Sequence, residues 1–135
     1  MAIIGFNFTK IFAERKTDIR GKLNINNNVS IVNAGESEIP IGSEKQPCLK
    51  ISFVFTTSYD PEFGTIELNG NMLYLGEAKE LKEIIKNWQK EQKLPADLMK
   101  QVVNTVLNKC NVQALIMSRD VALPPPIPLP RANVR

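Results

Sequence analysis

Up to residue 76 the apolar positions recur every second residue, the pattern of strands with one buried face. In "GFNFTKIFAER" Phe6, Phe8 and Phe12 share a side, while Ile11 and Ala13 mark an irregular far end. "KLNINNNVSIVN" alternates Leu23, Ile25, Val29 and Ile31 against Asn24, Asn26, Asn28 and Ser30, a strand with a wet face. A loop carrying Gly35, Pro40, Gly42 and Pro47 is expected next. "CLKISFVFTTSY" then sends Leu49, Ile51, Phe53, Phe55 and Tyr59 one way and Lys50, Ser52 and Thr56 the other. "DPEFG" reads as a turn, because proline fixes φ and glycine tolerates positive φ. It returns into "TIELNGNMLYLG", with Ile66, Leu68, Met72 and Tyr74 opposite Glu67, Asn69 and Asn71. Four such strands predict an antiparallel sheet that needs cover on one side.

The period then changes. In "EAKELKEIIKNWQKEQK" Leu81, Ile84, Ile85 and Trp88 form a narrow helical stripe, predicting a helix over Ala78 to Lys93. Pro95 suits the first turn of a second helix running to Val121. On that helix, at ~100° per residue, Leu98, Met99, Val102, Val103, Val106, Leu107, Cys110, Ala114, Met117 and Val121 cover about half the circumference. A sheet needs a stripe only a little over ~100° wide, so the pattern predicts either a second apolar contact or a helix sunk deeply in its own core. The fold expected is α+β: residues 1–135 as one domain, with a four-stranded antiparallel sheet (1–76), two helices (77–122) and an extended proline-rich tail (123–135).

The tail is unusual. "MSRDVALPPPIPLPRANVR" holds five prolines, Pro124, Pro125, Pro126, Pro128 and Pro130. They stop the helix and favour a polyproline II backbone with little entropy left to lose on docking. Ile127 and Leu129, two apart, would be out of place on a solvated tail, so the strip is expected to fold back along its own sheet-helix junction, or across to a neighbouring subunit, and wall a groove. The alternative is a stiff terminal ligand for a proline-recognising domain or a disordered end.

Composition sets the remaining bounds. With 135 residues, 43% hydrophobic and 23% charged, the chain holds one modest core. No apolar run approaches a membrane span, and "MAIIGFNFTK" lacks a basic n-region and a cleavage site, so a cytoplasmic protein without membrane insertion is expected. Cys48 and Cys110 lack CxxC spacing and read as reduced, partly buried thiols, not a disulfide or metal site. Lys10, Arg15, Lys16, Arg20 and Lys22, against Glu14 and Asp18, carry the whole formal charge of +3. That cluster is either a solvated strand connection or a contact for an anionic partner such as RNA.

No catalytic motif is present. The chain has no histidine, and its serines have no basic partner. Gly64, Gly70 and Gly76 are spaced as turn or bulge residues rather than as a phosphate cradle, and Glu62 and Glu67 read as solvated hairpin charges. The aromatics lie in core register without interleaved bases, so nucleic-acid binding is not the expected role. The reading is a non-enzyme with no cofactor and no metal.

The order of elements, the alternating aromatic hairpin and the long amphipathic helix ending at Ser118 and Arg119 together resemble the SecB family of export chaperones. So does the following extended segment, Pro124 to Pro130 with Leu129 and Asn133, where Val134 stands in place of the family's aromatic. The resemblance implies a chaperone that holds unfolded polypeptide in apolar grooves between sheet and helices. It also implies a dimer of dimers built through the sheet and long helix, and transfer of clients to a translocation machinery. On this reading the chain is expected to depart from the family in lacking its final helix, in an Asn- and Thr-rich outer sheet face where the family is acidic, and in an added helix from Ala78. Phe63, Tyr74, Trp88, Ile127 and Leu129 are the expected polypeptide-binding residues, with ordinary core as the alternative for the aromatics, Tyr74 above all, and Val103, Leu107, Cys110 and Ala114 are the expected oligomer interface. The alternative is a non-catalytic adaptor or a ribosome- or RNA-associated protein using the Arg15 to Lys22 cluster.

Overall fold

A computed structural model describes residues 2–17 and 21–127. Strands β1 (Ala2–Arg15), β2 (Asn24–Ile41), β3 (Glu44–Asp60) and β4 (Gly64–Leu75) precede helices α1 (Ala78–Glu91) and α2 (Ala96–Asp120). The strands form one antiparallel sheet in the order β1-β4-β3-β2, which puts β1 and β2 on its two edges. This is the α+β architecture that the periodicity predicts.

The central strands carry the core. Along β3, Leu49, Ile51, Phe53, Phe55, Thr57 and Tyr59 are buried, and along β4, Gly64, Ile66, Leu68, Gly70, Met72 and Tyr74. α1 lies over β2 and β3, and α2 over β2, β3 and β4. The inner face of the sheet is therefore sealed in the middle, where fully burying each large apolar side chain contributes about 1.5–3 kcal/mol.

Two bulges revise the alternation read from the sequence. The ladder between β1 and β4 slips between Phe8 and Lys10, leaving Thr9 out of the pairing. Phe8 faces inward opposite Gly70, but beyond the bulge Phe12 pairs with Glu67 on the outer face and is 40% exposed. Ile11 and Ala13 take the inward positions opposite Leu68 and Ile66. Lys10, which forms an ion pair with Glu67 and lies 5.8 Å from the Phe12 ring centre, shares that outer face. In β2 the slip falls at Val32 and turns Ala34 inward opposite Ile51. An extra residue in one strand exchanges the two faces for everything beyond it.

The expected loop from Gly35 to Pro47 is instead strand. β2 continues to Ile41 and β3 begins at Glu44, so Gly42 and Ser43 alone form the turn, with Gly42 at φ +63°. Pro40 sits on an edge strand, and Pro47 lies where β3 has run past β4, whose pairing starts at Leu49. Each proline has an open side for its missing N–H, which is where sheets tolerate proline. α1 also stops short of the expected Lys93: Gln92 turns left-handed and donates its N–H to the Trp88 carbonyl at 2.7 Å.

α2 ends in a cap that aims the tail. Ala122, at φ +56°, donates its N–H to the Arg119 carbonyl (3.2 Å), and Leu123 donates to the Ser118 carbonyl (2.8 Å). This is a Schellman arrangement with alanine where glycine is usual. A left-handed alanine costs roughly 1–2 kcal/mol, partly offset by the greater unfolded-state freedom of glycine. Ala122→Gly is expected to stabilise the chain by about 0.5–1 kcal/mol, read as a higher urea midpoint at unchanged slope.

Candidate polypeptide-binding surface

The helices are narrower than the sheet. Inner-face residues of the edge strands, Ile3, Phe6 and Phe8 on β1 and Ile25, Val29 and Ile31 on β2, together with Leu23 just before β2, are only partly buried, although all pack against the core. A partly covered apolar row, or trough, is left along each edge. The β1 trough is lined at one end by Ile3, Ile4, Phe6, Gln101, Thr105 and Lys109. Above the same helix, Val112 and Ile116, four residues apart, are 60% and 42% exposed.

The β2 side already holds a peptide segment. After buried Leu123, the chain crosses the inner face from β3 to β2 without joining the sheet. Tyr59 donates its hydroxyl to the Pro124 carbonyl at 2.7 Å, and Asn27 donates Nδ2 to the Pro126 carbonyl at 3.0 Å. The Asn27 Oδ1 accepts from the hydroxyl of fully buried Thr57 at 2.6 Å, which fixes the orientation of the amide. Burial pushes the Tyr59 phenol up to about 12, so it keeps the proton it donates. Pro126 is buried and Ile127 half-buried.

The expected site residues divide differently. Phe63, Tyr74 and Trp88 are buried members of the core cluster and present no open surface. Phe63 sits in the β3–β4 turn and Trp88 on the buried stripe of α1, the positions that the sequence pattern gives them, with their surfaces turned into the core. Burial also raises the Tyr74 pKa, with Glu80 adding to the shift. Ile127 lies with the tail on the sheet, and Leu129 lies outside the described residues. Of the expected interface, Cys110 and Ala114 belong to the buried stripe of α2 and are taken by the chain's own core, whereas Val103 and Leu107 are half-buried. The polar residues Asn27, Thr57 and Tyr59 are the ones missed as a group. The available signal was Asn27 breaking the inward row of Ile25, Val29 and Ile31.

Both thiols are free and buried, and desolvation pushes Cys110 up to about 12. An ordinary thiol near 8.5 reacts faster as pH rises through the mildly alkaline range. Cys110 is expected to stay unreactive to a disulfide reagent across that range and to react at once after denaturation. Rapid labelling of the folded chain would contradict its burial. Among the described residues no group of His, Cys, Asp and Glu could hold a metal ion, and no helix is long and apolar enough to cross a membrane.

No protein-family model matches the chain, and no curated protein matches it in sequence. Among solved structures, a SecB-like chaperone of Mycobacterium tuberculosis, in complex with a peptide from an antitoxin, superposes with a TM-score of 0.56 at 10% identity. The match covers 99% of this chain and 91% of that one. Sheet order, two covering helices and whole-chain superposition agree with the resemblance drawn from the sequence: the chain has the fold of the SecB-like chaperones.

Proposed function

We propose that the protein is a chaperone of the holdase type, binding non-native polypeptide along the apolar troughs that the helices leave open, in the service of protein export. The observation that carries this reading is the half-buried inner face of the edge strands, against full burial of the same face on β3 and β4. The similar mycobacterial chaperone holds a peptide, which supports polypeptide as the ligand class. A globular domain with no ligand to bind would gain by covering those rows.

Magnitudes set how such a surface works. Completing the burial of four half-buried aliphatic side chains yields about 4 kcal/mol, which corresponds to no better than roughly millimolar affinity. One trough holds a client weakly. Useful retention requires several troughs acting on one chain, because linked sites gain avidity through effective concentration. We therefore include a homo-oligomer in the proposal, a dimer or dimer of dimers, assembled through the α2 face that displays Val112 and Ile116.

The test is suppression of aggregation when a denatured client is diluted from urea, at low and at high salt. Retention through apolar rows is expected to persist at high salt, since contacts of that kind are not screened. If denatured clients were ignored while RNA bound tightly and with steep salt dependence, the holdase reading would fail and the basic cluster around Arg15 and Lys16 would become the site. Arg20 of that cluster lies outside the described residues.

A further inference from the structure

We infer that Tyr59 and Asn27, with Thr57 behind them, form a site that reads the backbone carbonyls of an extended, proline-tolerant peptide. The chain's own residues 124–127 occupy it as a displaceable ligand in competition with clients. The competition rests on the holdase reading, whereas the site itself rests on the hydrogen bonds alone.

The contacts are those of a ligand. Pro124, Pro125 and Pro126 have no N–H, so this segment cannot extend the sheet as a strand. The two hydrogen bonds instead run from a side-chain donor on the sheet to a main-chain carbonyl of the tail. Aromatic-lined grooves that bind polyproline segments select shape in this manner. A carbonyl is present on every residue of every polypeptide, so donors arranged this way select an extended backbone, not a side-chain sequence. That is the specificity a promiscuous binder needs.

The donors are also arranged in advance. Thr57 is fully buried and occupies the Asn27 carbonyl oxygen, which leaves the Nδ2 end of that amide directed at the tail. Tyr59 is fixed in the core with its hydroxyl reaching the Pro124 carbonyl. If the tail departs, the buried Tyr59 hydroxyl needs another carbonyl, because a buried donor left unpaired is costly, whereas the exposed Asn27 amide can turn to water. An extended client segment supplies the same acceptors.

The tether makes the tail an effective competitor despite its few contacts. Leu123 is held by the helix cap, so residues 124–127 are presented to the site at an effective concentration on the order of millimolar. If the tail's intrinsic dissociation constant is ~0.1 mM, the site is free about a tenth of the time, which weakens client binding about tenfold. The strip expected from sequence to wall the groove is assigned here as its occupant, and the two roles give opposite results on truncation.

The test compares the full chain with one truncated after Leu123, which keeps the helix cap and the buried Leu123 side chain. The probes are a fluorescent synthetic peptide of residues 124–135 and a reduced, carboxymethylated protein as a permanently unfolded client. The peptide is expected to bind the truncated form at least about tenfold more tightly than the full chain. Tyr59→Phe and Thr57→Val, each removing one hydroxyl at nearly constant shape, are expected to weaken peptide binding to the truncated form about fivefold or more. The client is expected to bind the truncated form more tightly. Equal peptide binding by both forms, or no effect of the two hydroxyl deletions in variants that keep the parent far-ultraviolet spectrum, would overturn the site. Loss of client binding on truncation would overturn the competition and restore the tail as a wall. Peptide exchange as expected, with no client bound by either form, would overturn the holdase reading and leave the site standing.

Discussion

Gly70→Ala is expected to destabilise the chain by about 2–4 kcal/mol, against a change within about 0.5 kcal/mol for Gly35→Ala. A β-carbon at Gly70 would stand 2.2 Å from the Asn7 carbonyl oxygen and 2.8 Å from the Phe53 ring. Neither neighbour can yield easily. Asn7 is ladder backbone, held opposite Asn71 just before the bulge at Thr9. Phe53 is buried and stacks on Phe6 with ring centres 5.0 Å apart and planes at 25°, while Phe8 meets it edge-on at 6.4 Å. The missing side chain at Gly70 is what allows three phenyl rings to meet over β4, so the added methyl must displace either the ring cluster or β1. Gly35 has ordinary negative φ, and a β-carbon added there would meet nothing within 4 Å, which makes it the matched control. Urea unfolding of both variants decides the matter. Coincident midpoints for Gly70→Ala and wild type would mean that β1 does not approach β4 as described.

Gly70 also shows why part of this fold is legible and part is not. Sequence reading places it as a turn or bulge residue, and the bulge is real but lies in the partner strand, at Thr9. Alternation is a property of one strand and can be read along it, which is why the inward rows of β3 and β4 are visible from Leu49 to Tyr59 and from Ile66 to Tyr74. Bulges depend on a partner strand, so Phe12 is misplaced and Val32 passes unnoticed. Pro40 and Pro47 break a strand only if flanked on both sides, and edge position is a fact of topology, not of local sequence.

The candidate site follows the same rule. Large aromatics such as Trp88 and Tyr74 are easy to nominate, yet whether they face a groove or a core depends on what packs above them, and here both are core. The residues that touch the tail are ordinary by type and far apart: Asn27 and Pro126 are separated by 99 positions, and Tyr59 and Pro124 by 65. What remains legible is the tail itself, because a run of prolines fixes its own conformation wherever it lies.

The double substitution Val112→Lys and Ile116→Lys is expected to weaken self-association about 100-fold or more, while leaving the fold of each copy intact. Sequence reading points to Val103, Leu107, Cys110 and Ala114 for this surface, but Cys110 and Ala114 are fully buried by the chain's own sheet and are denied to a second copy. Val103 and Leu107 are half-buried, so lysines there would disturb the monomer and confuse the result. Val112 and Ile116 lie one turn apart, exposed in a single chain, on a helix whose opposite side already satisfies the sheet. Lysine is at least as good a helix former as valine or isoleucine, so the substitution carries no penalty until a partner excludes water. In an interface it introduces two charges per copy that must be stripped of solvent without a counter-ion, each costing several kcal/mol. Sedimentation should therefore show wild type as a dimer or larger at micromolar concentration and the variant as a monomer with the parent far-ultraviolet spectrum and a concentration-independent urea midpoint. If wild type itself sediments as a monomer, Val112 and Ile116 become surface available to a client. In that case retention must come from one copy's two troughs acting together along a single bound chain.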